Sequence, residues 1–175
     1  MGSYEQAKKA YAAYGVDTES ALERLKNIPI SVHCWQGDDV LGFDGSDSLE
    51  GGIQTTGNYP GKAVGFEQLK QDIKEAFSLM PGKKRLNLHA SYAVLGKDKG
   101  KVDRDAYTYE YFKPWVEFAK ENNFDGIDFN PTFFSHPKMK NGLTISSGDE
   151  EIRSFWVRHG KACMQIAAEI GKAMG

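Results

Sequence analysis

Cysteine is scarce: the 175 residues hold two, Cys34 and Cys163, far apart and outside any CxxC pair. That excludes a disulfide framework and a thiolate zinc site; both read as small core residues, Cys34 in a strand and Cys163 in a helix. Charge of one sign is also missing. Twenty-two basic and 24 acidic residues leave a net charge of −2 with no basic block, so there is no electrostatic footprint for nucleic acid or for an anionic membrane. No run approaches the roughly 18 apolar residues of a membrane span, and the N-terminal mixture of Lys, Glu, Ala and Tyr lacks the apolar core of a signal peptide. The expected setting is cytoplasmic and the expected partner a small neutral molecule. Apolar material is present in quantity, 40% hydrophobic and 12% aromatic, enough for a sizeable single core.

Periodicity divides the chain. Tyr4, Ala7, Tyr11 and Tyr14 recur at helical spacing up to Gly15, and Asp17 or Thr18 then caps a second helix with Ala21, Leu22 and Leu25 on its apolar face, ended by Pro29. Ile28 to Trp35 is short and β-branched, a first strand. Gln36 to Gly65 is a long loop with eight glycines, of the kind that tends to be functional in compact domains. Phe66, Leu69, Ile73, Phe77 and Met80 predict a helix ended by Pro81-Gly82. Arg85 to Tyr92 sets Leu86, Leu88 and Ala90 against Asn87, His89 and Ser91, a second strand with a polar face. A helix over Tyr107 to Asn123 requires Pro114 in its first turn or at a kink, and Phe124 to Asn130 is a third strand stopped by Pro131. Ser147 and Glu150 have capping-box spacing, with Asp149 as a competing cap, before a last helix carrying Ile152, Phe155, Trp156, His159, Cys163, Ile166 and Ile170.

Strands alternating with helices predict an α/β fold of parallel βαβ units with right-handed crossovers. Three strands in this length suit a partial (β/α)8 TIM barrel: N-terminal helices over 1–27, then three βα units over 28–175, a fragment of a larger catalytic domain. In such folds function collects at the C-terminal ends of strands. Here these ends offer His33, Trp35, Gln36, Asp38 and Asp39; then Asn87, His89 and Tyr92; then Asp128, Asn130, Phe134, Ser135 and His136. Aromatic faces beside imidazole and carboxylate groups suit a sugar, which has an apolar face and a rim of hydroxyls. A lone strand histidine is as readily a core residue bonded to backbone, and His159, on the apolar stripe of the last helix, is read that way. Asp38 and Asp39 serve equally to cap a turn. No metal-ligand spacing, nucleophile elbow or phosphate loop occurs.

HCWQGDDV (33–40), GGIQTTGNYPGKA (51–63), RLNLHASY (85–92), DFNPTFFSHP (128–137) and IRSFW (152–156) closely resemble, in order, the N-terminal part of the L-rhamnose isomerase family. The resemblance implies a (β/α)8 barrel more than twice this length, homotetrameric, that converts L-rhamnose to L-rhamnulose with a divalent metal, usually Mn2+. It implies His89 as the strand-end histidine at the reacting end of the sugar and Trp35 as an aromatic wall. His33, Asp128, Asn130 and Phe134 are the further candidates for sugar contact. The family's metal-binding Glu, Asp and His residues and its lysine near the substrate come from later strands and have no match here. The isolated chain is therefore expected to be inactive, with Mn2+ ligands beyond residue 175, and to self-associate through the third strand and last helix. The other reading is a non-catalytic βα module that binds a sugar or a protein partner.

Overall fold

The computed structural model describes residues 2–33, 40–44 and 63–175. Cys34, Trp35, Gln36, Asp38, Asp39 and most of the glycine-rich loop lie outside the described residues.

Two short helices come first, α1 (Ser3–Ala12) and α2 (Thr18–Leu25). Gly15 turns the chain at φ +75°, and the Asp17 carboxylate accepts from the amides of Glu19 and Ser20 to cap α2. The Tyr4 hydroxyl and Lys8 ammonium both donate to Glu19, tying one helix to the other. Neither helix buries a residue, and the predicted apolar positions Tyr11 and Leu22 are exposed.

The remainder follows the βα order: β1 (Ile30–His33), α3 (Gly65–Ser78), β2 (Lys84–His89), α4 (Lys113–Glu121), β3 (Ile127–Asn130) and α5 (Glu150–Met174). All strands are parallel and lie in the order β1-β2-β3. Val32, Leu86 and Ile127 are in register, as are His33, Asn87 and Asp128 one residue on, and His89 faces Asn130. Period-two alternation therefore gives the sheet one apolar and one polar face. The apolar face meets helices: Leu69, Ile73 and Phe77 of α3, Trp115 and Phe118 of α4, and Ile166 and Ile170 of α5 share one cluster with Leu86 and Leu88. α3 and α4 cross over between parallel strands that advance in one direction, and α5 joins the same cluster; a doubly wound sheet reverses its strand order and is covered on both faces.

Several boundaries differ from the sequence expectation. The first strand begins at Ile30 rather than Ile28, whose amide still donates to the Leu25 carbonyl at the end of α2. The second strand ends at His89, because Ala90–Tyr92 tighten into a buried 3-10 turn. The third begins at Ile127 rather than Phe124, whose ring turns to pack on Phe77 and Phe118. The helix predicted over Tyr107 to Asn123 is a 3-10 turn at Tyr109–Phe112 followed by α4, with Pro114 in the first turn, where its missing N–H has no partner to lose. Asp149, not Ser147, caps α5, accepting from the amides of Glu151 and Ile152, while Ser147 Oγ accepts from the Asp149 amide. Among the described residues no helix is long and apolar enough to cross a membrane.

Candidate functional site

The C-terminal ends of the three strands place His33, Asn87, His89, Asp128 and Asn130 on the polar face. Each is held differently. Asp128 accepts from Nε and Nη2 of Arg85, both at 3.0 Å, and these hydrogen bonds hold its carboxyl below the usual range against the opposing effect of burial. Arg85 also donates to the Asp125 carbonyl. A Cβ on Gly126 would collide with its guanidinium, so glycine is what lets that group lie across the strand. Asp128 is thus engaged within the sheet. Asn87 Nδ2 donates to His33 Nδ1 at 2.8 Å, which puts the His33 ring proton on Nε2; Asn87 Oδ1 is buried with no partner among the described residues.

His89 is buried, its ring edge-on to His33 at 5.4 Å and to Phe134 at 6.1 Å. Burial first, then the nearby His33 and Arg104, lower its pKa from 6.5 to about 4, so the imidazole is neutral at pH 7. Thr132 assigns its tautomer. The Thr132 hydroxyl oxygen lies 3.3 Å from both the Asn130 carbonyl and His89 Nδ1, and with one proton it makes both hydrogen bonds only by donating to the carbonyl and accepting from Nδ1–H. Nε2 then carries a lone pair, with no partner among the described residues. The Asn130 side chain is spent locally: Oδ1 accepts from the Thr132 amide at 2.9 Å, the Asx turn that Asn-Pro sequences favour.

The sequence reading missed the group that holds this corner. Arg104 sits between two aspartates in a charged stretch that reads as solvated, yet it is 1% exposed. Nε and Nη2 donate to the Asp44 carboxylate, Nη1 to the carbonyls of Thr132 (3.1 Å) and Phe134 (2.7 Å), and Nη2 to that of Ser135 (2.9 Å). All five N–H groups are thereby used. Thr132 and Ser135 have φ of +53° and +50°, a conformation unfavourable for non-glycine residues and most of all for a β-branched one, at a cost of about 1–3 kcal/mol each.

His159 is fully buried and structural: its two ring nitrogens meet the carbonyls of Arg104 and Pro131, pinning α5 to both loops. His136 stacks on Phe155, bonds Asp103 through Nε2 and receives the Lys138 amide on Nδ1. Burial holds its pKa down. Tyr92 packs beside His89 with its ring 5.4 Å away. The structure brings His33, His89, Asn130 and Phe134 to one corner, with Asp128 one row below; Trp35 lies outside the described residues. The signal that existed for Thr132 was Asn-Pro-Thr; nothing local marked Arg104 or Asp44.

The corner offers a hydroxyl an acceptor on His89 and a donor on His33, beside the Phe134 ring. Among the described residues no three His, Cys, Asp or Glu side chains converge on a metal-sized site.

Known proteins carry a similar sequence. The family described as L-rhamnose isomerase (RhaA) matches residues 1–175. The L-rhamnose isomerase of Mannheimia succiniciproducens is 56% identical over 174 residues, 99% of this chain and 40% of that protein. That of Listeria monocytogenes is 53% identical over 173 residues, 98% and 40%, and that of Escherichia coli 50% identical over 174 residues, 99% and 41%. The chain spans about 40% of the length of these relatives. With a match that runs through every strand end described above, the chain belongs to the L-rhamnose isomerase family.

Proposed function

We propose that this chain supplies the first three strand ends of an aldose–ketose isomerase that interconverts L-rhamnose and L-rhamnulose in the cytoplasm, as a homotetramer in its intact form, and that its sheet is the opening arc of a (β/α)8 barrel. The observation that carries the reading is the sheet's two-sidedness. Parallel sheets are normally covered on both faces, whereas here the helices pack on one and the other is lined by His33, Arg85, Asn87, His89 and Asp128. Wrapping the sheet on itself turns that polar face inward, as a barrel does.

The isomerisation moves a hydrogen from C2 to C1 and a proton from O2 to O1: the aldehyde carbon becomes CH2OH while the C2 carbinol becomes the ketone. His89 binds at the reacting end. Its neutral imidazole accepts a hydrogen bond from a sugar hydroxyl on Nε2, and at pH 7 it does not charge in doing so. His33 Nε2–H donates to a neighbouring oxygen, Asn87 Oδ1 is a further buried acceptor, and the Phe134 ring faces the apolar side of the sugar; the aromatic-wall role that the family likeness gives Trp35 belongs to the same proposal. Mn2+ belongs to this proposal as a Lewis acid on the sugar oxygens when bound; the described residues do not make its site by themselves, and none of their roles above depends on it.

Joining residues 1–175 to the remaining part of the Mannheimia enzyme, in place of its own matching segment, tests the reading. The fusion is expected to form L-rhamnulose from L-rhamnose with added manganese, at a rate within about tenfold of the relative's, and the 175-residue chain alone to give none. A folded, tetrameric but inactive fusion would sink the proposal, and turnover by the chain alone would show that the apparatus is more complete than argued.

A further inference from the structure

We propose that Arg104 is the positioning residue of the sugar site: by clamping the loop after β3 to Asp44, it holds Thr132 and Phe134 against His89 and so fixes which nitrogen of that imidazole faces the sugar. This rests on the sugar-site reading above. Arg104 touches no reacting atom; it acts through its neighbours.

Three observations point the same way. The guanidinium spends three of its five donors on consecutive parts of one loop, the carbonyls of Thr132, Phe134 and Ser135, and the other two on Asp44. A planar fork with fixed donor directions suits that task, and an ammonium does not. Two of the three residues whose carbonyls it holds, Thr132 and Ser135, are the ones at positive φ; such a conformation persists only where its surroundings over-determine it. The strained Thr132 is also the residue whose hydroxyl receives His89 Nδ1–H, and Phe134 is the ring packed edge-on to the same imidazole. Remove the clamp, and Thr132 relaxes toward negative φ, carrying its hydroxyl away from His89. The imidazole then reverts to the Nε2–H form that free histidine favours, presenting a donor where the sugar hydroxyl needs an acceptor. His159 reinforces the arrangement from α5 by binding the backbone carbonyl of Arg104 itself.

The test is Arg104→Lys, read in two ways. Nitrogen NMR of the imidazoles in the 175-residue chain is expected to show His89 as the Nδ1–H tautomer, and in Arg104→Lys mainly as Nε2–H. Ile166→Val, a core change on α5, lowers the melting temperature and leaves the tautomer as it was. In the fusion enzyme, Arg104→Lys is expected to lower kcat/KM by tenfold or more, chiefly through kcat, while Ile166→Val stays near wild type. If Arg104→Lys does not fold, Asp44→Asn decides: it withdraws the charge behind the guanidinium, and a smaller shift in the same direction is expected. A wild-type tautomer in the variant that folds, or an equal shift in Ile166→Val, overturns the positioning role. An inactive unsubstituted fusion overturns the isomerase reading alone, since the tautomer measurement does not depend on turnover.

Discussion

The imidazole of His89 links the site to the stability of the fold. Its pKa is about 4 in the folded chain against an ordinary 6.5. Between those values the unfolded state binds a proton that the folded state refuses, so stability rises with pH across this window. The contribution is fully present above pH 6.5 and is lost as the pH falls to 4, on the order of 3 kcal/mol in all. His136, also lowered by burial, acts in the same direction. Urea unfolding at intervals from pH 7 to pH 4.5 is expected to show a declining midpoint, and His89→Gln to flatten most of that decline; an unchanged slope in the variant would place the pH dependence elsewhere. Gly126 sets a second residue-scale constraint. Its Cβ would displace the Arg85 guanidinium, breaking a partly exposed ion pair worth at most about 1 kcal/mol and adding backbone strain of similar size. Gly126→Ala is expected to cost about 1–2 kcal/mol, and to cost less in an Arg85→Ala background, because the two changes remove the same contact. Additive losses in chemical denaturation would show that the clash is absorbed elsewhere.

At the scale of elements, two helices start with the same device and stand in different relations to the core. Asp17 caps α2 and Asp149 caps α5, each through two backbone amides. Asp149→Ala is expected to lower global stability by about 1 kcal/mol, since α5 buries Phe155, Trp156, Ile166 and Ile170 and cannot fray without exposing them. Asp17→Ala is expected to leave the melting temperature alone and to speed amide exchange at Glu19 and Ser20, because α2 buries nothing. A global loss from Asp17→Ala would mean that α1 and α2 are packed after all. Element order was legible because apolar spacing reports the period directly: Leu69, Ile73 and Phe77 mark α3, and Leu86 and Leu88 mark the buried face of β2. The ends were less so, since they turn on which of several competent groups wins locally. Ser147 and Asp149 both had cap chemistry, and Phe124 looked like a strand residue until Phe77 and Phe118 offered it a pocket. For the site, His33, His89 and Asn130 were readable from strand-end position, while Arg104 was hidden. Its partners Asp44 and Thr132 are 60 and 28 residues away, and no local pattern records a pairing that only the fold creates.

For the molecule as a whole, the relation between covered and uncovered surface decides how the isolated chain behaves. On the apolar stripe of α5, Phe155, Trp156, Cys163, Ile166 and Ile170 are buried by the chain's own loops and core, and Ile152 is half-buried. What remains open on α5 is the adjoining strip of Val157, Gly160, Met164 and Ala167, which with Phe129, Phe133 and Ile145 lines a groove of about 400 Å3. Beside it runs β3, an edge strand of the described sheet. Unpaired strand backbone next to an apolar groove is a template for another chain, and in a solution of the isolated chain the only candidate present is a second copy. Sedimentation velocity over a concentration series is expected to show reversible self-association. Met164→Lys, which puts a charge at the most exposed large apolar side chain of the groove (74%), is expected to weaken it. Tyr14→Lys, still more exposed but on the N-terminal helical pair (86%), is expected to leave it unchanged. Equal weakening by both would move the contact to the exposed faces of α1 and α2, and a monomer at every concentration would mean that the β3 edge and its groove are protected within a single chain.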